Sequence, residues 1–388
     1  MKRNNLSVHP FPARMAPEIA LTALGTVPAG STILDPMCGG GTVVLAAVLK
    51  GHRVIAGDID PLAILISKTS VMPATVAETF DAERIVALAR DRVGQGVVLP
   101  WIDNDESTLN FINFWFANRQ VRELRALAHV IRGLSGARRI YASVSLSRTI
   151  ITKSGGASLA ADTSHSRPHK VRTENDFDVF EGFIKAAGRI GRVIESNPYS
   201  LTNVIRRDAR RLSGVPSESI DLIVTSPPYV NAIDYLRGHR LSLVWLGYPI
   251  SRLKDMSKRY MGSEKKRSEA EQQFVEGCAY RELPKVLQRT LARYISDMAA
   301  VTHEMYRVLK PTRHAVLVVG NSTLSSVYID SAQIIRNCAE SVGLRLNDQY
   351  VREIPEDSRY LPPPSRATDD KLSRRMEVET VMSFAKPG

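Results

Sequence analysis

Thr32-Ile33-Leu34-Asp35-Pro36-Met37-Cys38-Gly39-Gly40-Gly41-Thr42 is a short β-branched run that ends in an acid and passes through three glycines into an apolar stretch, Val43 to Leu49. A strand, a tight turn and a helix are the reading. The next signal, Gly51-His-Arg-Val-Ile-Ala-Gly-Asp58, is a second strand that also ends in an acid, and Pro61 opens another helix. With a helix expected over 17–24 ahead of it, this is a βαβ unit of a doubly wound α/β sheet. Ligands of such sheets sit where strands end and helices begin.

The glycines let backbone approach a ligand with no Cβ in the way. No Gly-Lys-Ser/Thr follows them, and an acid precedes them, so the turn is unsuited to pyrophosphate. Asp35 suits the ammonium of an amino-acid moiety instead. Asp58 is placed to accept from ribose hydroxyls, and Asp60, before Pro61, reads as a helix cap.

Apolar runs return at Asn203-Val-Ile-Arg-Arg-Asp208 and Ile220-Asp-Leu-Ile-Val-Thr225, and the second leads into Ser226-Pro227-Pro228-Tyr229. Two prolines fix φ and remove donors, which leaves carbonyl oxygens free to accept. An exocyclic amino group needs such acceptors to become nucleophilic toward a methyl sulfonium, and a tyrosine offers a face to a base taken out of a duplex. A long helix from about Leu291 and a buried strand, His314 to Gly320, follow, with a last strand expected at Val378 to Ser383.

Asp35-Pro-Met-Cys-Gly-Gly-Gly-Thr42 resembles the cofactor motif of the DNA amino-methyltransferases, and Thr225-Ser-Pro-Pro-Tyr229 resembles their catalytic motif. His9-Pro-Phe-Pro-Ala-Arg14-Met-Ala-Pro17 is similar to the segment that encloses the methionine end of the cofactor in members with this motif order, and His303 to Pro311 to the helix and turn that come later. The resemblance implies a Rossmann-like methyltransferase fold and S-adenosyl-L-methionine as cofactor. It implies Phe11, Pro12, Asp35, Pro36, Cys38, Gly39, Gly41, Thr42, Asp58 and Asp208 as cofactor residues, Asp208 near the adenine ring. Ser226, Pro227, Pro228 and Tyr229 become the catalytic residues. Within that family the Ser-Pro-Pro-Tyr form is associated with cytosine N4 and Asp-Pro-Pro-Tyr with adenine N6, so cytosine N4 in double-stranded DNA is the expected target. Adenine N6 and an RNA amino group are the alternatives. No cysteine follows a proline, which argues against cytosine C5 chemistry and its thiolate. A companion restriction endonuclease is a candidate partner.

Two departures stand out. Lys310-Pro311-Thr312-Arg313 lacks the glycines frequent after that turn, and about 140 residues separate Asp60 from the strand leading to Asp208. The division expected is residues 1–70 with the cofactor motif, a mostly helical insertion over 71–199, and 200–388 with the catalytic loop and a basic helical segment, 231–290. The insertion and the basic segment compete as DNA readers. The first offers Arg119, Arg122, Arg125, Arg138, Arg139, Arg148 and Lys170 among others; the second offers Asp234, Arg237 and His239 for base edges, with 231–235 lining the pocket. Residues 154–175 read as an extended loop, whose His165 and His169 lack the partners of a metal site.

The 388 residues carry 52 Lys+Arg against 40 Asp+Glu, a formal charge of +12 that suits a polyanionic partner. Three cysteines, Cys38, Cys278 and Cys338, are too scattered for a disulfide framework or a zinc site, so no metal is expected. With neither a signal peptide nor a run of ~18 apolar residues, a soluble cytoplasmic protein is expected.

Overall fold

In a computed structural model the protein is described at residues 7–11, 14–153, 155–161, 163, 168–198, 201–230, 235–261, 280, 282–325, 327–355 and 377–388. Seven strands share one sheet: β1 (Thr32–Asp35), β2 (Arg53–Asp58), β3 (Thr202–Arg206), β4 (Ile220–Thr225), β5 (Leu309–Gly320), β6 (Arg345–Glu353) and β7 (Val378–Ala385). Their order is β3-β2-β1-β4-β5-β7-β6. Five strands run parallel, and β7 pairs antiparallel with both β5 and β6. The central β4 is buried at all six positions, which is why it reads as an apolar run rather than an alternation. The chain builds outward from β1 through β2 to β3, then returns to β4 on the other side of β1. That reversal opens a crevice between the carboxyl ends of β1 and β4.

The helices among the described residues are α1 (Pro17–Leu24), α2 (Thr42–Leu49), α3 (Pro61–Ser70), α4 (Ala74–Glu78), α5 (Ala82–Arg90), α6 (Pro100–Asp103), α7 (Glu106–Trp115), α8 (Asn118–Gly133), α9 (Gly136–Ile150), α10 (Val179–Ile194), α11 (Tyr235–Leu243), α12 (Ile250–Ser257), α13 (Lys285–Val308) and α14 (Ser331–Ser341). No helix among the described residues is long and apolar enough to cross a membrane.

The helices α4 to α10 lie between α3 and β3 in the chain. On α8, Leu124, Leu127, Ala128 and Ile131 point into an apolar core shared with Phe183 and Ile190 of α10. The same core takes in Leu241 of α11, Leu253 of α12 and Trp245 between those two helices. The described helices α11 and α12 of the basic segment therefore share one helical body with the insertion. Trp245, 1% exposed, meets Phe116 edge to face at 5.2 Å, and Trp101 Nε1 donates to the Val244 carbonyl at 2.8 Å.

Several sequence expectations change. The stretch over 154–175 is not a plain loop: Ala160–Ala161 pairs antiparallel with His169–Lys170. His165 of that stretch and Cys278 lie outside the described residues. Arg119 and Arg125, offered above as DNA-reading residues, reach Glu123 and Asp103 at 2.8 and 2.7 Å, so both are engaged within the helical body. β3 ends at Arg206, two residues short of Asp208. At the turn that lacks glycine, Thr312 takes φ 62, the left-handed conformation a glycine would adopt freely, and its N–H is bound to the Lys386 carbonyl at 3.0 Å.

Candidate active site

Four neighbouring strands deliver polar residues to one cavity of about 620 Å³. Asp35 closes β1 and Asp58 closes β2; Asp208 stands just past β3, and Ser226 just past β4. All four line the cavity, with Phe11, Pro36, Cys38, Gly39, Thr42, Pro228 and Tyr229. Pro12 lies outside the described residues. Pro227 is buried beside the lining residues, and Gly41 is buried at the head of α2.

The glycine turn has a backbone only glycine adopts readily, with Gly39 at φ 44 and Gly41 at φ 77. A Cβ on Gly41 would stand 2.9 Å from the hydroxyls of Ser67 and Ser70, so this residue also lets α2 dock on α3. Cys38 N–H donates to the Gly57 carbonyl at 2.9 Å, tying the turn to β2. Gly39 N–H donates to Asp58 Oδ2 at 2.9 Å, and Asp60 N–H to Asp58 Oδ1 at 2.9 Å. A carboxylate thus occupies the donor that a phosphate would seek.

Asp35 is 3% exposed, and its Oδ1 accepts from Thr225 Oγ1 at 2.8 Å and from Met37 N–H at 3.3 Å. Burial pushes its pKa up to about 7 against these two hydrogen bonds, and the nearby charge of Asp58 adds to the rise. Asp58 is pushed up to about 6, chiefly by burial and then by Asp60. Burial raises the Cys38 thiol well above its ordinary range, so it is a packing group and not a nucleophile.

Phe11 closes the cavity over the glycine turn: its ring would be 3.3 Å from a Cβ on Gly39. Two residues earlier, buried His9 bonds Ser147 of α9 at 2.9 Å, which anchors this segment to the helical body. Asp60 caps α3 by accepting from Leu62 N–H at 2.8 Å, and its Oδ2 meets His239 Nδ1 at 2.5 Å. His239 also packs on Phe11, ring centroids 4.9 Å apart. At 1% exposed it is a structural link between α11 and α3, which corrects its expected contact with base edges. Arg237 is exposed; Asn231 to Asp234 lie outside the described residues.

In the Ser-Pro-Pro-Tyr loop, Ser226 Oγ donates to the Val318 carbonyl at 3.0 Å. Tyr229 lies across the end of β5, where a Cβ on Gly320 would be 3.1 Å from its ring. Burial raises the phenol pKa, against hydrogen bonding to Ser226 and to the Gly320 backbone. The phenol is therefore neutral at ordinary pH.

Sequence reasoning missed the far wall. Ser257 to Met261, at the end of α12 and beyond it, and Leu287 and Thr290 of α13 line the cavity, as do Arg14 and Arg210. Arg14 belongs to the His9 to Pro17 segment already quoted, but no motif marks the others, because they reach the site through long-range packing. Arg14 and Arg189 act electrostatically on half-buried Arg148, whose pKa is brought down to about 10 by desolvation first and by these cations second. Arg148 Nη1 donates to the Val8 carbonyl at 2.7 Å.

Residues 7–94 match the family described as RMKL-like, methyltransferase domain (UPF0020). Over 384 residues the chain is 21% identical to Type II methyltransferase M.MvaI of Kocuria varians, an alignment covering 89% of this chain and 83% of that protein. A 52-residue stretch is 44% identical to tRNA (guanine(10)-N2)-dimethyltransferase of Methanothermobacter thermautotrophicus, 13% of this chain and 16% of that one. Among solved structures, a candidate DNA modification methylase of Thermus thermophilus complexed with S-adenosyl-L-methionine is 18% identical, with 47% of this chain and 51% of that chain covered, so this chain spans about half its length, at a TM-score of 0.25. The fold therefore rests on the sheet order and switch-point crevice of this chain, which define an α/β protein of Rossmann-like architecture. The sequence matches liken the chain to methyltransferases.

Proposed function

We propose that the protein is a site-specific DNA methyltransferase that transfers the methyl group of S-adenosyl-L-methionine to N4 of a cytosine flipped out of double-stranded DNA. The observation that carries this reading is the direction of the Ser226 hydroxyl. Its proton goes to the Val318 carbonyl, so toward the cavity that Asp35 and Asp58 also line its oxygen can only accept, and beside the bond to the Tyr229 phenol one acceptor site remains for an amino group. An amino nitrogen conjugated to a base ring is a poor nucleophile. Acceptors on its hydrogens favour the pyramidal form whose lone pair can attack, and Ser226 Oγ with the Pro227 carbonyl supply them in this account. Tyr229 receives the flipped base on its ring.

The cavity's chemistry fits the cofactor. S-adenosyl-L-methionine, when bound, supplies an electrophilic methyl on a sulfonium. Asp35 would hold the ammonium of its methionine end under Phe11, Asp58 the ribose hydroxyls and Asp208 the adenine edge, with Pro36, Cys38, Gly39, Gly41 and Thr42 as the turn around it. A cationic ligand suits two buried acids; a phosphate does not, since the Gly39 N–H is already taken by Asp58.

DNA as the substrate is supported by Arg14 at the cavity and by the +12 formal charge, both suited to phosphates. The helical body formed by residues 71–199 with α11 and α12 would read the sequence. M.MvaI is a type II methyltransferase by name, and a restriction-modification role with a companion endonuclease follows as part of this proposal. Cytosine N4 is preferred over adenine N6 on the Ser-Pro-Pro-Tyr form of the loop. The RNA reading is favoured by one observation, the 52-residue likeness to a tRNA methyltransferase. Incubation with methyl-tritiated cofactor and, in parallel, duplex DNA or tRNA decides the polymer. Label in DNA that is lost in Ser226→Ala supports the proposal; label confined to tRNA replaces it.

A further inference from the structure

Arg210 binds three separate parts of the chain at the rim of the cavity. Its Nε and Nη2 donate to Oδ1 and Oδ2 of Asp208 at 2.9 and 2.7 Å, and its Nη1 to Asp297 Oδ1 on α13 at 2.8 Å. Nη2 also reaches the Arg259 carbonyl, in the wall segment after α12, at 2.7 Å. The two sides of this clamp belong to different cores. Leu253 and Met256 root α12 in the helical body, whereas Leu212 and Met298, beside Arg210 and Asp297, belong to a core on the sheet. One guanidinium therefore spans the seam between them where the cavity opens.

We propose that Arg210 is a positioning residue for the cofactor: it holds the wall formed by Ser257 to Met261 closed over the cavity and keeps the Asp208 carboxylate fixed for the cofactor's base. This rests on reading the cavity as the cofactor site. A carboxylate has about four acceptor sites; the Arg210 fork takes one on each oxygen and the Arg210 backbone N–H a second on Oδ1 at 3.0 Å, which leaves Oδ2 to accept from an amino group. Burial alone would raise the Asp208 pKa, but the hydrogen bonds and charge of Arg210 more than offset it and hold it below the ordinary range. Lysine cannot replace this planar fork, having one compact charge and no bidentate geometry.

Calorimetry with S-adenosylhomocysteine on the full chain, with steady-state kinetics on duplex DNA, tests the assignment. Arg210→Ala and Arg210→Lys are each expected to weaken S-adenosylhomocysteine binding and raise KM for S-adenosylmethionine roughly 10- to 50-fold. KM for DNA and kcat at saturating cofactor should stay within about twofold. Asp297→Asn, which removes one arm and leaves the Asp208 pair, should give a smaller change in the same direction and serves if the Arg210 variants fold poorly. Unchanged cofactor binding in the variants, or a loss in kcat with KM for the cofactor unaltered, would overturn the inference. A parent protein that bound no S-adenosylhomocysteine would overturn the cofactor reading and this inference with it.

Discussion

Thr225 Oγ1 donates to Asp35 Oδ1 at 2.8 Å, so the last residue of β4 is bound to the last residue of β1 across the point where the strand order reverses. The Ser-Pro-Pro-Tyr loop and the glycine turn are thereby fixed to each other. Thr225→Val keeps the shape and removes the donor. Asp35 then becomes harder to ionise, and S-adenosylhomocysteine affinity near neutral pH should fall about tenfold, the equivalent of the ~1.5 kcal/mol contributed by a hydrogen bond to a charged group. Thr225→Ser should keep most of it. Equal affinity in the valine variant and the parent would detach the bond from the cofactor site.

The raised acids predict a pH dependence. Asp35 at about 7 and Asp58 at about 6 hold protons in the folded protein that the unfolded chain releases near the ordinary value of 3.8. Across that window the folded state binds more protons, so the contribution of these two groups to the stability of the ligand-free protein falls as pH rises from about 4 to about 7. A cationic cofactor needs the carboxylates ionised. Its binding should release protons at about pH 6 and tighten as pH rises to about 7.5. Titration calorimetry in two buffers of different ionisation heat reads the release directly; proton uptake on binding would contradict the role given to Asp35.

Gly320 has no room for a side chain beside Tyr229, with 3.1 Å to the ring. Gly320→Ala should push the tyrosine from its place and lower kcat at least tenfold, since a small misplacement near the reacting groups is costly. Cofactor affinity should be nearly unchanged. Were the variant as active as the parent, the position of Tyr229 would not matter to catalysis.

Trp245, buried against Phe116, ties α11 and α12 to the insertion. Trp245→Ala should destabilise the protein by ~3–5 kcal/mol, as for other large aromatic truncations in a packed core. Urea unfolding measures it, and a loss below ~1 kcal/mol would mean that the two helical segments are not one body.

How much of this was legible in the sequence differs by element. β1, α2, β2 and β4 could be read from local signals: a β-branched run ending in an acid, consecutive glycines, an apolar strand before Pro-Pro. Asp35, Asp58, Asp208 and Ser226 share a cavity because strand ends in a doubly wound sheet converge, and the sequence marks where strands end. Arg210, Arg259 and the cavity-facing side of α13 carry no such mark. Their place depends on how the helical body seats on the sheet, a long-range packing outcome. His239 misled because a histidine soon after the catalytic loop reads the same whether it points to a base or pairs with Asp60. β6 was missed because most of its positions are exposed and polar, so no apolar period reveals it.

The most direct test of the central claim is to incubate the protein with S-adenosyl-L-methionine and unmethylated duplex DNA, digest the product to nucleosides and identify the methylated species by mass spectrometry. The account predicts N4-methylcytosine, absent from the Ser226→Ala reaction. N6-methyladenine would contradict the assigned base, and no methylated nucleoside in DNA would contradict the assigned substrate.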